Sequence, residues 1–344
     1  MSKKVFVGLS GGVDSSVTAA LLIEQGYDVT GVFMKNWSQD LPSFECPWKQ
    51  DYQDAKRVAV QLGIPFKMYD FETEYREKVV DYMIAEYKAG NTPNPDIMCN
   101  QEVKFKLFLE TALSDGADMI ATGHYAKIIN SQLFMADNKD KDQTYFLYRV
   151  SEEALSRSLM PLGNFKSKDE VRAKAKELGL VTSDKKDSQG ICFVGKVGIR
   201  EFLQQYVESV DGMIIDDKGR VVGTHDGAIF YTIGQRHGLN VGGGLPYYVT
   251  GKNMKKNEVY VTTDLNNKKL WRSDLKLTSV HLINPKLMLN KLSIRTRYRA
   301  SLIDCELDVK SGIIKLKDEV RAVTPGQSAV IYDNERCVGG GVIV

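Results

Sequence analysis

The sequence predicts an α/β domain built on a parallel sheet, followed by two small β-rich domains, the last of them a β-barrel. Three observations carry this. Apolar strand-like runs alternate with helix-period stripes through the first part of the chain, the pattern of a parallel sheet with helices on both faces. After about residue 210 the period changes to short β-like runs broken by glycines and Asp/Asn turns. The 344 residues are enough for two or three compact domains.

The elements follow in order. Residues 4–9 are a buried strand, 13–25 a helix stopped by Gly26, and 28–34 a second strand. Ala55, Val58, Ala59 and Leu62 recur at i, i+3, i+4 and i+7, so 51–62 is a helix with one apolar face, ended by Gly63-Ile64-Pro65. Residues 66–71 are a third strand and 73–89 a long helix. The stretch 90–100 is a loop held open by its two prolines, after which 102–113 is a helix and 118–122 a strand. Ser167-Lys168-Asp169-Glu170 is a capping-box pattern opening a helix over 171–178. A polar loop spans 187–195, and a helix over 199–207 closes the α/β part. Strands are then expected at 212–215, 247–250, 258–262, 292–302, 313–316, 328–332 and 337–344, with Asp333-Asn334 as a hairpin turn. The expected domains are 1–207, 208–273 and 274–344.

Composition limits the function classes. With 43% hydrophobic and 26% charged residues, packed cores are expected rather than disorder. The net charge of +2 is small, so any nucleic-acid binding must use a local basic patch. Met1-Ser2-Lys3-Lys4-Val5 leads straight into a strand, without the apolar region of a signal peptide, and no run is long enough to span a bilayer. A cytoplasmic location without membrane association is therefore expected. Five cysteines, Cys46, Cys99, Cys192, Cys305 and Cys337, are odd in number, scattered, and lack zinc-knuckle spacing. Each taken alone is read as a small hydrophobe.

Ser10-Gly11-Gly12-Val13-Asp14-Ser15-Ser16 lies between a strand and a helix start. Free helix N-terminal amides attract an anion, glycines let the backbone approach it, and three hydroxyls can donate to it. Asp14 is at odds with a phosphate unless a cation lies between them, which implies Mg²⁺ near Asp14. The loop lacks the Gly-Lys-Ser/Thr end of a P-loop and the third glycine of a dinucleotide fingerprint. It resembles instead the pyrophosphate loop of the ATP pyrophosphatase superfamily, whose members adenylate a substrate oxygen and release pyrophosphate. The alternative is a glycine-rich turn that binds nothing.

Two cysteines narrow the acceptor. In Asn94-Pro95-Asp96-Ile97-Met98-Cys99-Asn100 a carboxylate and a thiol lie three residues apart. In Lys185-Lys186-Asp187-Ser188-Gln189-Gly190-Ile191-Cys192-Phe193 a thiol lies near two lysines, and a nearby positive charge favours thiolate. With Met34-Lys35-Asn36-Trp37, Ala121-Thr122-Gly123-His124-Tyr125, Lys141-Asp142-Gln143, Gly234-Gln235-Arg236 and Thr324-Pro325-Gly326-Gln327, these stretches are similar, over nearly the whole chain, to the bacterial tRNA-specific 2-thiouridylases.

The resemblance implies a nucleotide-hydrolase-like first domain that binds ATP through Gly8, Leu9, Ser10, Gly11, Gly12, Val13, Asp14, Ser15 and Met34, with Gly123 near the nucleotide. It implies that Asn94, Pro95 and Asp96 touch the target base, with Asp96 handling protons. Cys99 would be the nucleophile and Cys192 the persulfide carrier, the two ending as a disulfide. Lys141, Asp142, Gln143, Arg297 and Tyr298 would contact tRNA. The implied partners are the Lys, Glu and Gln tRNAs and a sulfur donor, either a cysteine desulfurase or a relay protein, acting on a monomer. Lys291, Arg295, Arg297 and Arg299 fall in nine residues. On one strand the arginines would share a face, as a phosphate-contacting stripe or as guards of an exposed edge. His124 is read as a nucleotide-side or a structural residue, with no catalytic step. Two rivals stay open at this level: an adenylating synthetase acting on a small molecule, and an RNA-binding factor with an inactive nucleotide site.

Overall fold

The computed structural model describes residues 2–40, 45–186, 198–239, 241–242 and 244–344. Its first sheet is wholly parallel. It contains β1 (Lys4–Gly8), β2 (Asp28–Lys35), β3 (Phe66–Asp70) and β4 (Met119–Ala121) and, beyond a hairpin of β5 (Ala126–Ile129) and β6 (Gln132–Met135), β7 (Ser158–Leu159). The order is β3-β2-β1-β4-β7. Strand alternation splits the core into two layers. Val5, Val7, Val29 and Phe33 pack with Ala19, Leu22, Ala55 and Ala59 of helices Val13–Glu24 and Trp48–Leu62. Phe6 and Val32 join the opposite layer with Val79, Met83, Val103 and Phe108. Both faces are thus covered, as a parallel sheet requires.

The second sheet, β10-β11-β8-β9, comprises β8 (Gly212–Ile215), β9 (Val221–His225), β10 (Tyr248–Asn253) and β11 (Glu258–Thr262). The third carries the β5–β6 hairpin at one edge and six further strands, β12 (Trp271–Leu282), β13 (Leu292–Arg295), β14 (Ile303–Asp308), β15 (Ile313–Arg321), β16 (Ser328–Asp333) and β17 (Arg336–Ile343). β12 pairs with both β15 and β17, which closes these six into a barrel around Leu275, Leu277, Ile294, Ile314 and Ile331. β17 makes a second use of its edge. Its start, Arg336 and Cys337, pairs with Phe134 and Leu133 of β6, while Gly339–Ile343 pair with β12. A Cβ at Gly339 would lie 2.1 Å from the His281 carbonyl oxygen, so the close approach of β12 there requires glycine.

The β5–β6 hairpin was not expected from the sequence, although Asn130 and Ser131, at φ +50° and +61°, form a turn of the kind that Asn signals. The segment after it seals the first part to the barrel. Tyr145 OH donates to the Ser328 carbonyl at 2.9 Å, and the Tyr148 and Thr144 hydroxyls lie 3.1 Å from Ser328 Oγ and Tyr332 OH.

Two expectations are corrected. The strand expected over 292–302 stops at Arg295, because the chain turns through Arg299 at φ +63° before β14 begins. The loop expected over 90–100 is helical from Pro95. Asn94 Oδ1 caps it by accepting from Asp96 N at 3.2 Å, and Pro95 occupies the first helical position, where its missing N–H removes no bond. Among the described residues no helix is long and apolar enough to cross a membrane.

Candidate active site

The glycine loop lies at the carboxyl ends of neighbouring parallel strands, where open α/β sheets leave a crevice. β1 ends at Gly8, β2 carries Met34 near its end, and Gly123 follows β4. A Cβ on Gly8 would lie 2.9 Å from Met34 Cε, and one on Gly123 would lie 2.9 Å from Ser15 N. Gly11 has φ +74°, and a Cβ there would lie 2.4 Å from the Asp51 carbonyl oxygen, so only glycine fits. Helix Val13–Glu24 starts at Gly12 without a side-chain cap, which leaves its first amides to an anion. Ser15 Oγ accepts from Ser10 N at 3.2 Å and donates to the Gly12 carbonyl at 3.0 Å. Ser10 is exposed. Leu9 and Val13 are buried in apolar clusters, so only their backbone is left for a ligand.

Asp14 already has a cation. Lys168 Nζ lies 2.6 and 2.7 Å from its two carboxylate oxygens, and Tyr125 OH donates to Oδ1 at 2.8 Å. Lys168 is the first residue of helix Lys168–Glu177. Sequence reading placed it only in a capping pattern, and no local signal announces a partner 154 positions away. Among the described residues no group of three His, Cys, Asp or Glu side chains could hold a metal ion.

The helix opened by Asn94 carries the second cluster. Pro95–Met98 is an α turn, Cys99–Leu107 is π-wound, and Phe108–Ser114 is α again. π winding is uncommon and is frequent at functional sites. Cys99 is 2% exposed and belongs to the apolar cluster of Ile97, Val103, Phe105 and Phe108. Burial pushes the Asp96 carboxyl above its usual range, against the pull of Lys104, the direction a proton-transfer group near neutral pH needs. His124 lies against Phe105 with ring centroids 5.7 Å apart, and its Nδ1 is 2.8 Å from Thr122 Oγ1. Burial, then Lys104, keeps it neutral, which suits a structural role. Lys104 thus acts on two groups of the site, and sequence reading assigned it nothing.

Cys192 and the rest of 187–193 lie outside the described residues. The chain leading to them is fixed beside the glycine loop. Arg172 donates to the Ser183 and Lys185 carbonyls, and Lys185 Nζ lies 2.8 Å from Asp51 and 2.7 Å from Asp54. Lys185 was expected to lend positive charge to the thiol. Two carboxylates hold it, and they outweigh burial in raising its affinity for the proton, while the thiol itself lies outside the described residues. Burial pushes the Cys305 thiol up to about 11 and Cys337 higher still, so both are inert packing residues.

The expected RNA contacts divide. Asp142 is 1% exposed, accepts from Ala136 N, Thr144 N and Thr144 Oγ1, and pairs with Arg295 Nη1 at 3.2 Å. Its side chain is closed off within the protein. Arg295 is buried with it and leaves the expected stripe. Lys141 and Gln143 are half-buried, and Gln143 Oε1 accepts from Tyr125 N at 2.9 Å. Arg297 is exposed but its guanidinium donates to the Ala322 carbonyl, and Tyr298 packs on Phe146 with ring centroids 4.5 Å apart.

Three family models match the chain: a tRNA methyl transferase HUP domain over residues 3–196, a tRNA methyl transferase PRC-barrel domain over 200–263, and an aminomethyltransferase beta-barrel domain over 272–343. Curated relatives match almost end to end. The tRNA-specific 2-thiouridylase MnmA of Bacillus subtilis (strain 168) is 45% identical over 99% of this chain and 94% of its own. That of Bacillus licheniformis is 46% identical over the same shares, and that of Enterococcus faecalis 43% over 99% and 95%. Among solved structures, a 4-thiouridine synthetase–RNA complex with bound ATP shares 19% identity over 59% of this chain and 50% of its own, at a TM-score of 0.37. That likeness is too low to bear on function.

Proposed function

The chain belongs to the family of tRNA-specific 2-thiouridylases, and from that premise we propose that it exchanges the 2-carbonyl oxygen of the wobble uridine of tRNA for sulfur, with ATP as the activating substrate. The observation that carries this reading is one architecture in two halves. A glycine cradle at the strand ends suits phosphates, and a helix beside it carries a thiol and a desolvated carboxyl.

The chemistry needs both halves. A urea-like carbonyl is a poor electrophile and its oxygen a poor leaving group. The cradle of Gly8–Ser15, with Met34 and Gly123, holds ATP so that the base oxygen bonds to the α-phosphorus and pyrophosphate departs. Lys168 and Tyr125 hold Asp14 in place at the edge of that cradle. With Asp14 so engaged, the residues present do not fit a protein-held Mg²⁺ there, and no step is assigned to one. Asn94, Pro95 and Asp96 face the base, and Asp96 handles the proton of the incoming sulfur.

Sulfur arrives as the terminal atom of a Cys192 persulfide loaded by a donor protein, a cysteine desulfurase or a relay. In one route that sulfur bonds to C2, AMP leaves with the former carbonyl oxygen, and the Cys99 thiolate cleaves the S–S bond at Cys192. In the other, Cys99 first displaces hydrosulfide, which attacks C2. Either route leaves a Cys99–Cys192 disulfide, which a thiol reductant reopens, and requires the two Cα atoms to come within roughly 4.4–6.8 Å. The Lys, Glu and Gln tRNAs are the proposed substrates. Lys141, Gln143, Arg297 and Tyr298 are the proposed contacts, and the three domains, 1–207, 208–273 and 274–344, act as a cytoplasmic monomer.

The test is to incubate the protein with ATP, sulfide and unmodified tRNA and analyse the nucleosides by mass. The expected product is 2-thiouridine, formed only when ATP is present. 2-Thiouridine formed equally well without ATP, or no modified nucleoside at all, overturns the proposal.

A further inference from the structure

Asn100, next to Cys99, has a carboxamide that is only half satisfied. The residue is 2% exposed. Nδ2 donates to the Phe146 carbonyl at 3.0 Å, and that bond fixes which end of the amide is nitrogen. Oδ1 is buried and has no hydrogen-bond partner among the described residues. Native folds pair nearly all such atoms, so a buried acceptor left over beside a reactive thiol points to a partner that arrives with the substrate.

The surroundings narrow the partner's chemistry. Asn100 lies on the turn after Asp96, on the helix that bears Cys99. Phe146, whose carbonyl holds the amide, packs on Tyr298 and follows Lys141 and Gln143 closely in the chain. Asn100 thus joins the thiol-bearing helix to the face proposed for RNA. Enzymes that act on a base draw it from the stack and read its Watson–Crick edge by hydrogen bonds. At position 3 uracil presents an N–H donor, whereas cytosine presents a lone pair.

We propose that Asn100 is a specificity-determining residue whose Oδ1 accepts the N3–H of the target uracil and so rejects cytosine. This rests on the thiolation reading above. With Nδ2 held by Phe146, the amide cannot turn to offer a donor. Uracil completes the pairing. Cytosine sets two acceptors against each other, the kind of unpaired buried contact that discriminates strongly.

The test measures tRNA affinity of the full chain without ATP, so that no chemistry intervenes. The probes are one tRNA with uridine, cytidine or N3-methyluridine at the target position. Wild type should bind the uridine form about tenfold or more tighter than the other two. Asn100→Ala should lose that preference by weakening uridine binding alone, with ATP affinity unchanged. Asn100→Leu, closer in volume and apolar, should do the same and covers the case in which alanine leaves a damaging cavity. Equal binding of the three tRNAs by wild type, or equal weakening of all three in both variants, overturns the proposal. Thiolation of the uridine tRNA by wild type is measured in parallel. Its absence overturns the reaction itself and the proposal with it, whereas intact thiolation with no base preference overturns the proposal alone.

Discussion

Replacing Asp142 with alanine should loosen the barrel from the α/β part rather than weaken an RNA contact. The Asp142 and Arg295 side chains are 0% and 10% exposed and lie 3.2 Å apart. Arg295 Nε has no hydrogen-bond partner among the described residues, and the guanidinium rests over the Tyr332 ring at 5.4 Å. Removing the carboxylate strands that charge in a low-dielectric interior, a loss of about 3–5 kcal/mol. At about 2–4 °C per kcal/mol for a unit of this size, the melting transition should fall by roughly 6–20 °C. The pair is itself no great stabiliser, since burial pushes the Asp142 carboxyl above its usual range against the pull of Thr144, Ala136 and Arg295. Asp142→Asn combined with Arg295→Met should therefore cost less than the two single changes added together. Calorimetry of wild type, Asp142→Ala, the two single changes and the double change reads the stability, and tRNA binding below the transition reads the interface. A normal melting temperature with weakened tRNA binding in Asp142→Ala would refute the reasoning and return Asp142 to the RNA surface.

Three further outcomes are expected. Gly11→Ala must place a side chain at φ +74°, 2.4 Å from the Asp51 carbonyl, so ATP affinity by titration calorimetry should fall about tenfold or more. With a cysteine desulfurase and cysteine in place of free sulfide, Cys99→Ser and Cys192→Ser should each abolish thiolation while ATP still binds, and 2-thiouridine formed by either variant would exclude the two-thiol route. Asp96→Asn should lose activity yet gain stability. The folded-state pKa of Asp96 is raised above 3.8 by burial, so ionisation penalises the fold as pH rises past that value, and asparagine escapes the penalty. The variant should melt above wild type at neutral pH and level with it below pH 3.8, and an equal melting temperature at neutral pH would contradict this.

The sheet was legible in the sequence because its strands are short apolar runs between helix stripes, and Gly63 and Ser167 mark helix ends by local chemistry alone. The glycine loop was legible for the same reason: its spacing is local. Pro95 misled, because a proline in the first helical turn and a proline in an open loop look alike until Asn94 is seen to cap. The arginines at 295, 297 and 299 misled because alternation assumes a strand that continues, and the turn at Arg299 separates them. Lys168 with Asp14, Lys185 with Asp51 and Arg295 with Asp142 were illegible, since each pair is made by the fold between distant positions.

The doubled edge of β17 has a consequence for dissecting the protein. A fragment ending before Trp271 keeps the β5–β6 hairpin but loses the strand that β6 pairs with, and it bares the tyrosines that were sealed against Ser328. An open strand end flanked by newly wetted aromatics invites self-association. The nucleotide-handling half is therefore not a detachable cassette, and mutations that enlarge or shorten the hairpin must be matched in the last strand of the chain.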